Sequence, residues 1–481
     1  MTHAAFDAII LAAGKGTRFK GSTPKVLAPI LGLSALARVL QTLHQAGCQR
    51  AVTLTGHQAE VVEQEVQTLQ PLWATMPVAT VRQIPQRGTG DAVRIARDAT
   101  NQLFAQTVLI LAGDVPLLRP ETLTTLLATH HAQQNAVTLL AAEIANPTGY
   151  GRVQLEAENG QIVAIIEEAD ATPEQKALRA VNTGVYAFDW AKISPLLDKL
   201  SSATAQGEFY LTDIIAIARQ HQLKAGCAWL ADPAEMTGIN TRAQLAEVIE
   251  ALSLRRCNEL MAEGVTILSP ANTLIAPEVV IGADTVVAPG CMLTGKVQIG
   301  ERCQIGPHST LTGPVKVGDN VIIQHSTVID AEIRDGAYIG PYAHLRGGCT
   351  VGQQSRVGNF VEFKAVNFGD HAAAAHLAYL GDAEVGNKVN MGAGSITANY
   401  DPVRDQKHKT HIMSGAKVGC NSVLVAPVQV GTNACVAAGS VITKPVAAND
   451  LAIARGRQSS LPQWVSQNES PEALFRADVE S

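Results

Sequence analysis

The 481-residue sequence predicts an α/β domain, a connecting helix and a parallel β-helix built from hexapeptide repeats, in that order. Three observations carry this prediction. Short apolar runs alternate with amphipathic stretches up to about residue 240. An aliphatic residue followed by glycine then recurs in a phase of six. Side-chain size changes with the phase: 24 of the 40 glycines fall between Gly264 and Gly456, and no tryptophan lies between Trp229 and Trp464. A narrow repetitive core admits few large rings, so the shift marks a change of architecture.

Residues 1–240 form the first domain. Phe6–Ala12 is an apolar run ending near glycine, and Ala51–Leu54, Thr107–Leu111 and Val137–Ala141 repeat the pattern. Runs this short, separated by amphipathic stretches such as Leu33–Ala46 and Pro120–His130, predict a largely parallel sheet covered by helices. Residues 241–263 follow helical spacing through Leu245, Val248, Ile249, Leu252, Leu260 and Met261, with Gly264 as the stop. Residues 264–456 carry ten aliphatic–glycine pairs, from Ile281-Gly282 to Val430-Gly431. Their spacings are 18, 6, 12, 22, 12, 6, 28, 33 and 12, so six of the nine are multiples of six and the rest accommodate inserted loops. Such phasing predicts one short strand per six residues, three per coil, each with an inward aliphatic. The tail, 457–481, is polar and contains proline, and is expected to pack loosely.

Composition excludes several classes. Only 17% of residues are charged, against about 25% in an average soluble domain, yet no apolar run is long enough to span a membrane. A net charge of -6 argues against a nucleic-acid backbone binder. The eight cysteines include no CxxC pair, so neither a disulfide framework nor a zinc site is expected. Met1-Thr2-His3-Ala4 lacks the basic start of a secretory signal, and a cytoplasmic location follows as the expectation.

The chemistry-bearing motifs of the first domain follow its strands. Leu11-Ala12-Ala13-Gly14-Lys15-Gly16-Thr17-Arg18 closes the first, with Pro24-Lys25 shortly after. Glycines there let backbone N–H groups approach a nucleotide, while Lys15, Arg18 and Lys25 offset phosphate charge. Gly88-Thr89-Gly90-Asp91 is a second glycine-rich loop, and Ala112-Gly113-Asp114 ends another strand with one carboxylate. A carboxylate at the carboxyl end of a parallel strand suits Mg²⁺ when phosphates supply its other ligands. Taken alone, Asp114 reads more readily as a turn former than as a metal ligand.

Together, LAAGxGTR…PK and GDxPL resemble the sugar-nucleotidyltransferase family, with its Rossmann-like domain. With Pro147–Arg152, Val181–Gly184, Gly238–Asn240 and the hexapeptide half, the chain is similar to the bacterial bifunctional N-acetylglucosamine-1-phosphate uridyltransferase/glucosamine-1-phosphate acetyltransferases over residues 6 to 456. That resemblance implies an enzyme of UDP-N-acetylglucosamine synthesis with a left-handed β-helix, assembled as a homotrimer and serving cell-envelope glycans. It implies UTP and sugar binding by Leu11, Ala12, Ala13, Gly14, Lys25, Gln83, Gly88, Thr89, Ala112, Gly113, Asp114, Gly151, Glu167, Asn182 and Asn240, with Mg²⁺ on Asp114 and Asn240. Gln83 is chosen over Gln86 by spacing, and Ala112 stands where some relatives have an aromatic residue.

In the second half the repeat is interrupted by Ala372–Asp382, where small residues permit close approach of another chain and His376 can take a proton. The resemblance makes His376 the general base. It places glucosamine 1-phosphate on Arg346, Lys364, Tyr379, Asn390 and Lys407, with Lys409 the alternative to Lys407 in a charged loop. Acetyl-CoA falls to Ala393, Asn399, Tyr400, Cys420, Ala438 and Arg455, where Cys420 replaces a common serine and contacts ligand through either side chain or backbone. A nucleotidyltransferase with a purely scaffolding β-helix, as ADP-glucose pyrophosphorylases resemble, would lack the set His376, Arg346 and Lys364.

Overall fold

The computed structural model describes residues 5–100, 104–156, 161–202 and 207–464, so the tail beyond Trp464 lies outside the described residues. Contacts divide the chain into two units, 1–256 and 257–481.

In the first unit a nine-stranded sheet runs in the order Ala225–Trp229, Val137–Glu143, Ala180–Asp189, Thr107–Ala112, Phe6–Leu11, Arg50–Thr55 and Val78–Arg82, with Arg152–Leu155 pairing off Ala180–Asp189 and Ile162–Ile166 pairing in turn with Arg152–Leu155. Phe6–Leu11 runs parallel to both its neighbours. The chain winds from it to one side and then returns to Thr107–Ala112 on the other. Leu11 and Ala112 are register partners, so their loops face each other across the switch point where α/β sheets bind ligands. Ala180–Asp189 is antiparallel to both flanking strands, which qualifies the expected largely parallel sheet. Its register shifts between Asn182 and Val185, around Gly184 at φ +79°. That break hides the strand from a simple periodicity reading.

Each sheet face buries its own apolar core. Helix Ala35–Gln45 begins at Ser34, whose Oγ accepts the Ala37 N–H at 3.2 Å, and it buries Leu36, Val39, Leu40 and Leu43 at helical spacing. Truncating one of these leucines to alanine would cost about 2–5 kcal/mol. Helix Arg242–Ala262 opens with a reciprocal cap: Gln244 N–H donates to Thr241 Oγ1, and Gln244 Oε1 accepts the Thr241 N–H. It ends at Gly264, φ +95°. Val248 and Leu260 are fully buried, whereas Met261 is exposed.

The second unit stacks short parallel strands into sheets of 11 and 15 strands. Register partners lie about one coil apart, as Val286 with Gln304 and Gln304 with Ile322. All ten aliphatics of the aliphatic–glycine pairs are buried, none more than 5% exposed. The paired glycines are steric: a Cβ on Gly282 would stand 2.7 Å from the Gly300 carbonyl carbon of the next coil. Of the small residues at 372–375, Ala372 and Ala374 face this inner core and only the other two are partly exposed.

Candidate functional site

The first site is a cavity of about 830 Å³ at the switch point. Leu11, Ala12, Ala13, Gly14, Lys25, Gln83, Gly88, Thr89, Ala112 and Asp114 line it. Gly88 caps helix Thr89–Ala99, whose N-terminus thus opens on the cavity, where the helix dipole favours phosphate. Gln83 is held by its own amide, Nε2 donating to Gly88 O at 2.9 Å. Gln86 also lines the cavity and donates to Ala13 O at 2.5 Å, so Gln86 ties to the first glycine-rich loop and Gln83 to the second. Gly56 leaves room for this, since a Cβ there would meet Gln86 Nε2 at 2.4 Å. Gly113 does not line the cavity. Its N–H donates to Leu11 O at 2.9 Å and it packs against Ala12, Ile10 and Leu36.

The charged centre is compact. Lys25 Nζ donates to Asp114 Oδ2 and, at 3.0 Å, to Asn240 Oδ1, which also accepts from Arg18 at 3.2 Å. Asn240 is held by the helix cap that follows it, its N–H donating to Gln244 Oε1 at 2.9 Å. Two protein oxygens from distant parts of the chain therefore converge on a single cationic atom.

Gly151, Glu167 and Asn182 form a separate group. A Cβ on Gly151 would lie 3.4 Å from Glu167 Oε2 and 3.6 Å from Asn182 Cβ. Burial pushes the Glu167 carboxyl upward, partly opposed by the Thr212 hydroxyl that donates to it at 3.1 Å.

In the second unit, register places the polar residues. Arg346 and Lys364 are partners on adjacent coils, as are Asn359 and His376. Arg346 pairs with Glu362, Nε at 2.9 Å. His376 Nδ1 lies 2.6 Å from Asn359 Oδ1. Residues Tyr400–Asp401 and Gln406–Lys407 pair as a small antiparallel ribbon, Tyr400 opposite Lys407. This ribbon folds Lys407 back beside Lys364, whose ammonium is pushed below its ordinary range first by Lys407 and further by Arg346. Lys409 instead pairs with Glu384 at 3.0 Å. A Cβ on Gly381 would stand 2.6 Å from both Tyr379 Oη and Asn399 Nδ2, so glycine leaves the room in which those two groups meet. Asn390 is exposed one register step from Ala373.

His376, Ala393, Cys420 and Ala438 occupy equivalent corners of successive coils, two residues beyond the partners Ala374, Met391, Val418 and Val436. Arg455 closes the column by donating to Ala438 O at 2.9 Å. Cys420 is exposed, and all eight cysteines are free thiols. Among the described residues no cluster of three or more metal-binding side chains exists.

The signals for Asn359, Glu362 and Gly381 were present only as position, within a quoted motif or one coil before a predicted site residue, whereas spacing set Gln86 aside in favour of Gln83 although both line the cavity.

Fold and sites define a nucleotidyltransferase joined to a hexapeptide-repeat transferase. Residues 8–182 match the MobA-like NTP transferase domain, and residues 296–331, 330–365 and 409–444 match the bacterial transferase hexapeptide (six repeats). A curated relative from Synechococcus sp. (strain RCC307), named bifunctional protein GlmU, is 44% identical over 455 residues, covering 95% of this chain and 98% of the relative. Relatives of the same name from Exiguobacterium sp. (strain ATCC BAA-1283 / AT1b) and Streptomyces griseus subsp. griseus are 44% and 40% identical, over 94% and 98% of this chain and 98% and 96% of theirs. The chain belongs to the bifunctional GlmU family. It is a uridyltransferase and acetyltransferase of UDP-N-acetylglucosamine synthesis, on a Rossmann-like domain and a left-handed β-helix. Among the described residues no helix is long and apolar enough to cross a membrane.

Proposed function

We propose that each reaction is carried by its own unit: acetyl transfer to glucosamine 1-phosphate in the β-helix, then uridylyl transfer to N-acetylglucosamine 1-phosphate in the α/β domain. The observation that carries this reading is the pair of separate phosphate-type sites, Lys25 beside Asp114 and Asn240 in one unit, Arg346, Lys364 and Lys407 in the other.

In the β-helix the Asn359 carbonyl accepts the Nδ1–H of His376, which leaves the Nε2 lone pair for the substrate amine. The deprotonated amine attacks the thioester carbonyl, the C–S bond breaks, and CoA departs as its thiol. Arg346, Lys364 and Lys407 hold the phosphate beside the base, with Tyr379 and Asn390 on the sugar. The column Ala393, Cys420, Ala438 and Arg455, with Asn399 and Tyr400 near its start, suits an extended ligand such as acetyl-CoA. The close approach of Lys364 and Lys407, beside an Arg346 that Glu362 already neutralises, suits a phosphate dianion.

In the α/β domain a phosphate oxygen of the sugar attacks the α-phosphate of UTP in line and pyrophosphate leaves. Leu11–Gly14 and Gly88-Thr89 hold the nucleotide, with Gln83 and Gln86 bracketing it, while Gly151, Glu167 and Asn182 hold the acetamido sugar. Asp114 and Asn240 would hold Mg²⁺, and their convergence on one cationic nitrogen fits a hard cation completed by phosphate oxygens. Bound there, the ion would supply charge neutralisation on the phosphates; Lys25 adds a positive charge beside the same oxygens.

A homotrimer in the cytoplasm, supplying cell-envelope glycans, completes the proposal. The free thiols suit a reducing compartment. Exposed Tyr342, Phe360 and Leu377 on consecutive coils suit burial against a second copy. Phosphate binding is tested by Lys407→Ala and Lys409→Ala. A charge-assisted phosphate contact is worth about 1.5–3 kcal/mol, so Lys407→Ala raises KM for glucosamine 1-phosphate roughly 10- to 100-fold and Lys409→Ala changes it less than about twofold. The reverse ranking overturns the assignment.

A further inference from the structure

Asn182 carries two groups of opposite character on one amide, and only one of them is spent inside the protein. Its Oδ1 accepts the Gly184 backbone N–H at 2.8 Å and the Tyr186 hydroxyl at 3.1 Å. The Gly184 N–H can only donate, so the oxygen of the amide is identified without ambiguity. Tyr186 is 2% exposed, and its hydroxyl therefore needs a buried partner. Among the described residues Nδ2 of Asn182 has no protein acceptor, and the residue itself, like the Glu167 carboxyl, borders Gly151.

We infer that Tyr186 is a positioning residue that sets sugar selectivity in uridylyl transfer, by fixing the Asn182 amide so that its N–H₂ faces a carbonyl on the sugar. The inference rests on the reading that Asn182 holds the acetamido group. Residues 182 and 186 share a face of the strand, and the register break after Asn182 shortens their separation to the two ladder positions between Ala141 and Leu139, which lets the Tyr186 hydroxyl reach Oδ1. An amide held this way presents a donor to an N-acetyl carbonyl, and a sugar lacking that carbonyl leaves the donor unmet. Burial pushes the Tyr186 hydroxyl upward, so it keeps the proton that Oδ1 accepts.

The test compares kcat/KM for N-acetylglucosamine 1-phosphate and glucose 1-phosphate in the full-length wild type, Tyr186→Phe, Asn182→Ala and the double variant. Loss of one neutral hydrogen bond predicts that Tyr186→Phe narrows the selectivity ratio about three- to tenfold, with the loss in KM of the N-acetylated substrate. Asn182→Ala narrows it further, and adding Tyr186→Phe to Asn182→Ala narrows it no more. Equal losses on both sugars, or an unchanged ratio in Tyr186→Phe beside a narrowed one in Asn182→Ala, overturn the role of Tyr186. An unchanged ratio in Asn182→Ala overturns the acetamido assignment and the inference with it.

Discussion

Gly419→Ala should damage acetyl transfer while sparing uridylyl transfer, because the glycine stands where two coils touch through backbone. A Cβ there would lie 2.4 Å from the Ala438 nitrogen and 2.7 Å from both Ala438 Cα and Val436 O. Ordinary contact begins near 3.4 Å, so the coils must separate by about 1 Å. No flexible side chain can yield in their place, and the Gly419 N–H bond to Val436 O at 2.9 Å is strained by the same movement. Overpacking of this kind costs about 1–3 kcal/mol, which lowers the melting temperature of the β-helix by roughly 2–12 °C. Cys420 and Ala438 lie in the displaced corner, so kcat/KM for acetyl-CoA should fall about 10- to 100-fold. Differential scanning calorimetry and a thiol-release assay measure both effects, with Gly456→Ala, whose Cβ would meet nothing within 4 Å, as the control. Wild-type melting and wild-type kcat/KM in Gly419→Ala would refute the steric account of these glycines.

Two further outcomes concern titration and thiols. Burial, aided by His131, pushes the buried His130 imidazole down to about 4. The unfolded chain takes a proton near the ordinary value of 6.5 that the folded domain refuses until about pH 4. Stability therefore falls as pH drops through that window, by on the order of 3 kcal/mol at its lower end. Urea titrations at several pH values should show this dependence shrinking in His130→Phe; an unchanged slope contradicts the assignment. A limiting thiol reagent should modify exposed Cys420 first, because burial pushes Cys48 and Cys227 up to about 12. Acetyl-CoA should slow that reaction, as followed by mass spectrometry, and earlier modification of Cys48 or Cys227 would contradict it.

The architecture was legible because its periods are written in burial. Phe6–Leu11 and Thr107–Ala112 are apolar on both faces, and every aliphatic of the hexapeptide pairs points inward. Residues whose roles depend on a turn were less legible. Lys407 and Lys409 differ by two positions in sequence, and only the Tyr400–Lys407 ribbon sends one to Lys364 and the other to Glu384. Ala180–Asp189 was obscured by its bulge at Gly184, and that bulge is what brings Tyr186 onto Asn182. Asn359 reaches His376 only because one coil separates them, a distance that side-chain identity does not encode. Small size at Ala372 and Ala374 reflects a narrow core, a reason that sequence alone does not separate from contact with another chain.

The central claim, two independent sites on one chain, is tested most directly by assaying both reactions separately in His376→Ala and Asp114→Ala. His376→Ala should lose acetylation of glucosamine 1-phosphate and keep Mg²⁺-dependent uridylyl transfer, and Asp114→Ala should do the reverse. If either substitution abolished both reactions in a folded protein, the two-site account would be wrong.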